Sequence, residues 1–127
     1  MRILLVDADP ISNIVMLKLL EREGYPAVHV DNPQDALEKL AAEDFRAVLL
    51  ETRLPTTSGF ELTKLIRSGA AGAKNIGIHI VAVTACVMLG DREQCILAGM
   101  DDHLPKPVMF EELKAMLARI PARPLPA

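Results

Sequence analysis

The stretch Ile3-Leu-Leu-Val-Asp-Ala-Asp-Pro10 opens the chain with four aliphatic residues, and acidic residues follow at once. A short apolar run of this kind, rich in β-branched residues, is typical of a strand buried on both faces of a parallel sheet. Asp7 and Asp9 come directly after it, where such a strand ends. The stretch therefore predicts both a parallel sheet and an acidic group at its carboxyl edge.

Strands of the same type recur along the chain and alternate with segments of helical spacing. The predicted strands are residues 3–6, 27–30, 47–50 and 78–83, with 102–104 as a short edge strand. The predicted helices begin at Ile11, after an Asp31 or Asn32 cap, at Ser58, at Met88 and at Phe110, and the last two end at Ala98 and Ile120. Because strand, helix and strand repeat, we predict an α/β fold in three layers, with right-handed crossovers and helices on both faces of the sheet.

Length and composition fit one globular domain. The chain has 127 residues, of which 50% are hydrophobic and 24% charged, ordinary values for a packed domain. We predict one domain over residues 1–120. Residues 121–127 contain three prolines and cannot continue a helix, so this tail is predicted to be a frayed end or the start of a linker.

Charge and composition exclude several classes of partner. The formal net charge is −3 and aromatic residues make up only 3% of the chain, which argues against binding to nucleic acid or to anionic membranes. No apolar run is long enough for a membrane span. Cys86 and Cys95 are predicted to be free thiols in a reducing cytoplasm. Proteins or a small ligand remain as partners.

Polar side chains follow four of the five predicted strands. Asp7 and Asp9 follow the first strand, Glu51 the third and Thr84 the fourth, and Lys106 comes just after the fifth. In an open parallel sheet, ligands bind beyond the carboxyl ends of the strands. The sequence therefore predicts that acids, a hydroxyl and an ammonium group share one site.

Several stretches together resemble the receiver domain of two-component signalling over nearly the whole chain. They are Ile3 to Pro10, Leu50-Glu-Thr-Arg-Leu-Pro-Thr-Thr-Ser-Gly59, Val81-Ala-Val-Thr-Ala85 and residues 90–107, the last similar to receivers attached to hybrid histidine kinases. The resemblance implies a doubly wound, flavodoxin-like sandwich with five helices and a parallel sheet in the order 2-1-3-4-5. It also implies a role in phosphorelay signal transduction.

Two positions depart from the pattern of this family, whose members accept a phosphoryl group on an aspartate beside an acidic pair that helps hold Mg²⁺. Asp7 matches the first residue of that pair, but Ala8 matches the second. A methyl group cannot coordinate a hard cation, and Asp9 is the candidate substitute. We predict no cofactor, with Mg²⁺ bound only if Asp7 and Asp9 rescue the site.

The second departure is Glu51, which occupies the position of the phosphoacceptor aspartate. Its carboxylate lies one methylene further from the backbone, and in-line phosphoryl transfer depends on exact placement of the nucleophile. The resemblance therefore implies a degenerate site, that is, a pseudo-receiver. Two hypotheses stay open for Glu51. Either it reaches Lys106 or Thr84 and imitates the phosphorylated state, or the site has decayed.

The resemblance also assigns roles to three further residues. Lys106 is expected to form a salt bridge with Asp7 or Glu51. Thr84 matches the family's hydroxyl residue, which forms a hydrogen bond to the phosphoryl group. The alternative is that the Thr84 hydroxyl only caps the turn after the strand. His103 matches the aromatic switch position, with a pH-sensing histidine or an ordinary edge-strand residue as the alternatives.

The first functional hypothesis is a non-enzymatic interaction module that contacts a histidine kinase or another receiver domain, or forms a homodimer. The resemblance places the contact on the fourth helix, fifth strand and fifth helix, where the apolar candidates are Val87, Met88, Leu89, His103, Val108 and Met109. The second hypothesis is an Mg²⁺-dependent phosphoacceptor that uses Glu51, and the third is a nucleotide sensor.

Overall fold

Helices cover both faces of a five-stranded parallel sheet in the computed structural model, which describes residues 2–85 and 91–122. The elements are β1 Arg2–Val6, α1 Pro10–Arg22, β2 Ala27–Val30, α2 Pro33–Ala42, β3 Phe45–Leu50, α3 Gly59–Arg67, β4 His79–Thr84, α4 Asp91–Ala98, β5 Asp102–Pro105 and α5 Phe110–Arg119. The strand order is β2-β1-β3-β4-β5 and every neighbouring pair is parallel. The predicted fold class and strand order are confirmed.

The core consists of two aliphatic layers, one on each face of the sheet. Successive residues of a strand point to opposite faces, so Leu4 and Ile3 enter different layers. Leu40 of α2 and Leu62 of α3 pack in the first layer. The second layer contains Leu20 of α1 together with side chains of α5. This double burial explains why the central strands carry apolar residues almost without interruption.

Four strands differ from their predicted bounds by one or two residues. β1 begins one residue earlier, at Arg2, and β5 ends one residue later, at Pro105. β3 begins at Phe45, which is fully buried and pairs with Arg2 of β1. β4 begins at His79 rather than residue 78, because the Ile78 amide closes a turn by donating to the Asn75 carbonyl. β4 ends at Thr84, one residue after its predicted end.

Three of the helices, α1, α2 and α3, begin at capping side chains. Asp9 caps α1, so that helix starts at Pro10, one residue before the predicted start. Asn32 caps α2 by accepting a hydrogen bond from the Asp35 amide at 2.8 Å, as one of the two predicted caps. Ser58 caps α3 in the same way. Such caps satisfy amides that have no partner within the helix.

Some predicted features lie outside the described residues: Cys86, the predicted first turn of the fourth helix (residues 88–90), and residues 123–127 of the tail. Cys95 is buried. The helices within residues 2–85 and 91–122 are all too short or too polar to cross a membrane.

Arg67 at the end of α3 joins the segments that start β4 and β5. Its guanidinium donates to the carbonyl oxygens of Ile76, Ile78 and Gly99 at 2.7–2.9 Å. It also pairs with the Asp101 carboxylate at 2.8 Å. A guanidinium suits this position because its planar fork presents five donors.

Gly59 allows α3 to start directly against the end of β3, and replacing it by Ala is expected to destabilise the fold. An added Cβ would overlap the Glu51 carbonyl oxygen and lie 2.9 Å from Thr52 Cα. These are backbone atoms that cannot move aside, so Gly59→Ala should lower the free energy of unfolding by about 2 kcal/mol or more. Urea denaturation measures the effect. Gly77→Ala is the control, because a Cβ at Gly77 meets nothing within 4 Å, and equal losses in both variants would contradict the prediction.

Candidate functional site

The candidate site is a cleft at the carboxyl ends of β1, β3 and β4 and at the residue that follows β5. The residues that line it are Asp7, Ala8, Asp9, Glu51, Arg53, Leu54, Pro55, Thr84, Ala85 and Lys106. The structure thus brings together all five polar residues that were predicted to share one site. They meet because all strands of a parallel sheet end at the same edge.

Lys106 stands at the centre of the cleft, between two acidic side chains. Its Nζ lies 2.6 Å from Asp7 Oδ2 and 2.9 Å from Glu51 Oε2. Asp7 and Glu51 are buried. The predicted salt bridge is present, and it involves both acids rather than one.

The same contacts keep Lys106 charged. Burial alone lowers the pKa of a lysine, but here the hydrogen bonds and charges of Asp7 and Glu51 outweigh that effect and raise the pKa of Lys106 above its usual value. The site therefore holds a fixed cation at neutral pH.

The second carboxylate oxygen of Glu51, Oε1, contacts the two residues that follow Glu51 in the chain. Oε1 accepts a hydrogen bond from the Arg53 amide at 3.1 Å and one from the Thr52 hydroxyl at 3.4 Å. The extra methylene of glutamate is thereby accommodated, with both carboxylate oxygens engaged. Glu51 is a bound member of an internal network rather than a free surface acid.

Thr52 is a member of this network that the sequence reasoning missed. Its buried hydroxyl lies 3.0 Å from Thr84 Oγ1 and 3.4 Å from Glu51 Oε1. It therefore bridges the ends of β3 and β4. Alternation along a strand would send the side chain after Glu51 to the opposite face. The chain has left β3 at that point, and no sequence signal marks the change.

Asp9 serves mainly as the cap of α1. Its carboxylate accepts hydrogen bonds from Ser12 Oγ at 3.0 Å and from the Ile11 amide at 3.1 Å. The Ser12 bond, followed by the Ile11 bond, lowers the pKa of Asp9 below its usual value. Within residues 2–85 and 91–122, no three His, Cys, Asp or Glu side chains are grouped so that they could hold a metal ion.

His103 does not belong to the cleft. It is half-buried on β5 and borders a separate depression together with Cys95 and Met100 on the α4 side of the sheet. The structure thus confirms its location on the edge strand, and its predicted switch role stays a prediction.

The predicted contact face is described only in part. Val87, Met88 and Leu89 lie outside the described residues, His103 and Val108 are half-buried, and Met109 is exposed. Sequence reasoning did not single out the two most exposed apolar residues of α4. They are Ile96 and Leu97, whose exposed fractions are 63% and 84%.

Comparison with known proteins agrees with this geometry. The family profile described as the response regulator receiver domain matches residues 3–118. The chain is 30% identical over 118 residues to the sensor histidine kinase GacS of Pseudomonas protegens and 32% identical over 118 residues to the sensor histidine kinase RcsC of Salmonella typhi. Each alignment covers 93% of this chain but only 13% and 12% of those kinases.

A solved structure matches over the whole domain. It is the receiver domain of the sensor histidine kinase PA1611 from Pseudomonas aeruginosa PAO1, described with a magnesium ion coordinated in its active-site cleft. Sequence identity is 34%, the TM-score is 0.84, and the match covers 94% of this chain and 95% of that one.

Proposed function

Because the chain belongs to the response regulator receiver family, we propose that it is a receiver domain that signals through protein contacts without being phosphorylated. One observation carries the proposal: Glu51 stands at the phosphoacceptor position, and both of its carboxylate oxygens are engaged, Oε2 by Lys106 at 2.9 Å and Oε1 by the Arg53 amide at 3.1 Å. The Lys106 ammonium offsets one of the two negative charges of Asp7 and Glu51 and contacts both carboxylates.

The state of Glu51 supports this proposal. Attack on a phosphoryl group requires an unengaged carboxylate oxygen in line with the leaving group. Both oxygens of Glu51 are held, Oε2 by Lys106 and Oε1 by the Arg53 amide. Phosphoryl transfer to Glu51 would require one of these oxygens to be released, and the oxygen would attack from a position one methylene further from the backbone than in aspartate. Both requirements raise the activation free energy of the transfer, and each ~1.4 kcal/mol slows the reaction tenfold.

The residues at the site also do not fit the magnesium ion that the PA1611 receiver coordinates. Ala8 offers a methyl group where the family has a second acid. Asp9 is engaged at the start of α1, and the Lys106 ammonium lies against Asp7, where a cation would bind. Since Mg²⁺ demands near-octahedral oxygen coordination, this arrangement supports a domain that works without it.

Beryllofluoride with Mg²⁺, which mimics an acyl phosphate, tests the proposal without any kinase. We expect the amide resonances of Asp7, Glu51, Thr84 and Lys106 to stay unchanged in ¹⁵N-correlated NMR spectra. Shifts at these residues that require both Mg²⁺ and beryllofluoride would contradict the proposal and favour the Mg²⁺-dependent hypothesis. Nucleotides added in the same titration test the sensor hypothesis, which stays a prediction.

For the contact surface, we propose the face formed by α4, β5 and α5, with a histidine kinase or another receiver domain as the partner. Its apolar residues in the described chain are Ile96, Leu97 and Met109, all well exposed. Neighbouring exposed apolar side chains of this kind mark interaction surfaces. The alternative is that these are isolated apolar residues on an otherwise polar surface. It fits less well, because Ile96 and Leu97 are adjacent in a helix of only 8 residues.

Replacing Leu97 by Glu is expected to weaken binding to a purified partner kinase or receiver by about tenfold or more, because a charge replaces an apolar contact at the interface. Biolayer interferometry measures the affinity. Leu65→Glu, on the outward side of α3, is the matched control, since Leu65 is also an exposed leucine. If Leu97→Glu bound as tightly as wild type, this face would not be the contact surface.

A further inference from the structure

The Thr52 hydroxyl connects the ends of two neighbouring strands. It lies 3.0 Å from Thr84 Oγ1 and 3.4 Å from Glu51 Oε1, and all three residues are buried. We call Glu51, Thr52 and Thr84 the hydroxyl bridge. It joins two threonines that stand 32 positions apart in the chain.

The hydroxyl bridge continues the pairing of β3 and β4 where their backbone ladder stops. The last paired residues of the two strands are Leu50 and Ala82, and Thr52 and Thr84 each come two residues later. The two threonine side chains therefore make the next contact in the same register. On its β5 side, in contrast, Thr84 is held through the backbone, because its carbonyl accepts a hydrogen bond from the Lys106 amide at 3.0 Å.

The carboxylate of Glu51 sets the direction of the two hydrogen bonds in the bridge. A carboxylate only accepts, whereas a hydroxyl has one proton to donate and lone pairs that accept. The Thr52 proton therefore points to Glu51 Oε1, and the Thr52 oxygen accepts the proton of Thr84. Because hydrogen bonds to an ionised acceptor are stronger than neutral ones, the carboxylate orders both hydroxyl groups.

The hydroxyl bridge also stands beside α4. Thr52 and Thr84 line a depression of about 270 Å³ together with Gln94 and Cys95 of that helix. The next residue of α4, Ile96, is exposed and belongs to the proposed contact face. The end of β4 that the bridge fixes is therefore next to the helix that carries part of this face.

From these contacts we propose that Thr52 is a positioning residue, which couples the Glu51 carboxylate to Thr84 and so holds the end of β4 in one arrangement. The inference rests on the proposed function and deepens it, because a domain that is not phosphorylated needs an internal group to fix this part of its contact face. Glu51 supplies the charge, and the Thr52 hydroxyl carries its effect to Thr84.

Replacing Thr52 by Val tests the coupling, since this change removes the hydroxyl and keeps the branched shape. Without the hydrogen bond from Thr84 to residue 52, we expect Thr84 to change from one side-chain rotamer to a mixture of staggered rotamers. Three-bond couplings to the Thr84 methyl carbon, measured by NMR on the full chain, report these rotamers. Thr52→Ser keeps the hydroxyl, so Thr84 should stay in one rotamer in that variant.

A second measurement separates this coupling from another connection between the same residues. Lys106 contacts the Glu51 carboxylate, and its amide donates to the Thr84 carbonyl. Glu51→Gln should shift the Thr84 methyl resonance in the wild-type and Thr52→Ser backgrounds, and this shift should be lost in the Thr52→Val background. A shift of the same size with Thr52→Val would assign the coupling to Lys106 and overturn the proposal, as would no shift in the wild-type background.

Thr63→Val is the matched control, because Thr63 is also a buried threonine and its hydroxyl donates to the Gly59 carbonyl within α3 at 2.8 Å. It should leave Thr84 in one rotamer, and circular dichroism shows that each variant is folded. A single Thr84 rotamer in folded Thr52→Val, or an equal change in Thr63→Val, overturns the proposal. The spectra are recorded on unphosphorylated chain, so this failure is distinct from that of the proposed function, which a mass gain of one phosphoryl group would reveal.

Discussion

The variant in which both Ala8 and Glu51 are replaced by Asp is expected to accept a phosphoryl group from acetyl phosphate and Mg²⁺, whereas wild type does not. Ala8 lines the candidate cleft, so an aspartate there adds an oxygen ligand beside Asp7. Shortening Glu51 to Asp removes the reach that allows its carboxylate to contact Lys106 and the Arg53 amide together. Both changes are needed, because the metal and the nucleophile act on the same transition state.

Intact-mass spectrometry of the double variant should show a gain of one phosphoryl group within minutes, and the gain should disappear without Mg²⁺. Ala8→Asp and Glu51→Asp alone serve as matched controls, and each should react at least about tenfold more slowly than the pair. A folded double variant that never gains mass would show that something other than these two residues prevents phosphorylation.

Removing the charge of Lys106 is expected to be the most destabilising single change at the site. Lys106→Met leaves the carboxylates of Asp7 and Glu51 buried side by side with no cation between them. Breaking a buried ion pair in this way costs about 3–5 kcal/mol, and the lower end applies here because the ammonium is not fully shielded from water.

The pH dependence of this effect follows from the direction of the pKa shift. Because the pKa of Lys106 is raised in the folded chain, its stabilisation is fully present below the usual pKa of lysine and is lost as the pH rises through the raised value. Thermal melts of wild type and Lys106→Met at neutral pH should therefore differ widely, and the gap should narrow at strongly alkaline pH. Lys64→Met, at an exposed lysine of α3, should melt close to wild type. Equal melting temperatures for the two lysine variants would contradict the account.

Much of the fold could be predicted from local sequence patterns. The alternation of short aliphatic runs with helical segments predicted five strands in a parallel sheet, whereas the order of the strands was implied by the resemblance to the receiver family. The residues directly after those runs predicted the cleft, because a parallel sheet brings its strand ends together. For this reason Lys106, Asp7 and Glu51 were predicted to share the cleft, although 99 residues separate Lys106 from Asp7. The salt bridge of Lys106 with Asp7 or Glu51 was implied by the resemblance to the receiver family.

Other features depend on contacts that no local pattern encodes. The hydroxyl of Thr52 enters the site only because the chain turns at the end of β3. Arg67 contacts Gly99 and Asp101, which lie 32 and 34 residues further along the chain. The sequence around Arg67 and the sequence around its partners contain no pattern that predicts these contacts. Helix α1 carries apolar residues on its exposed side, Ile11, Ile14 and Val15, as well as on its buried side, so only the position of the sheet reveals which side stays exposed.

The most direct test of the central claim is the mass of the wild-type chain after incubation with a phosphorylated histidine kinase and Mg²⁺. We predict that the mass stays that of the unmodified protein while a functional receiver in the same reaction is labelled. A gain of one phosphoryl group within minutes, abolished by Glu51→Gln, would contradict the account.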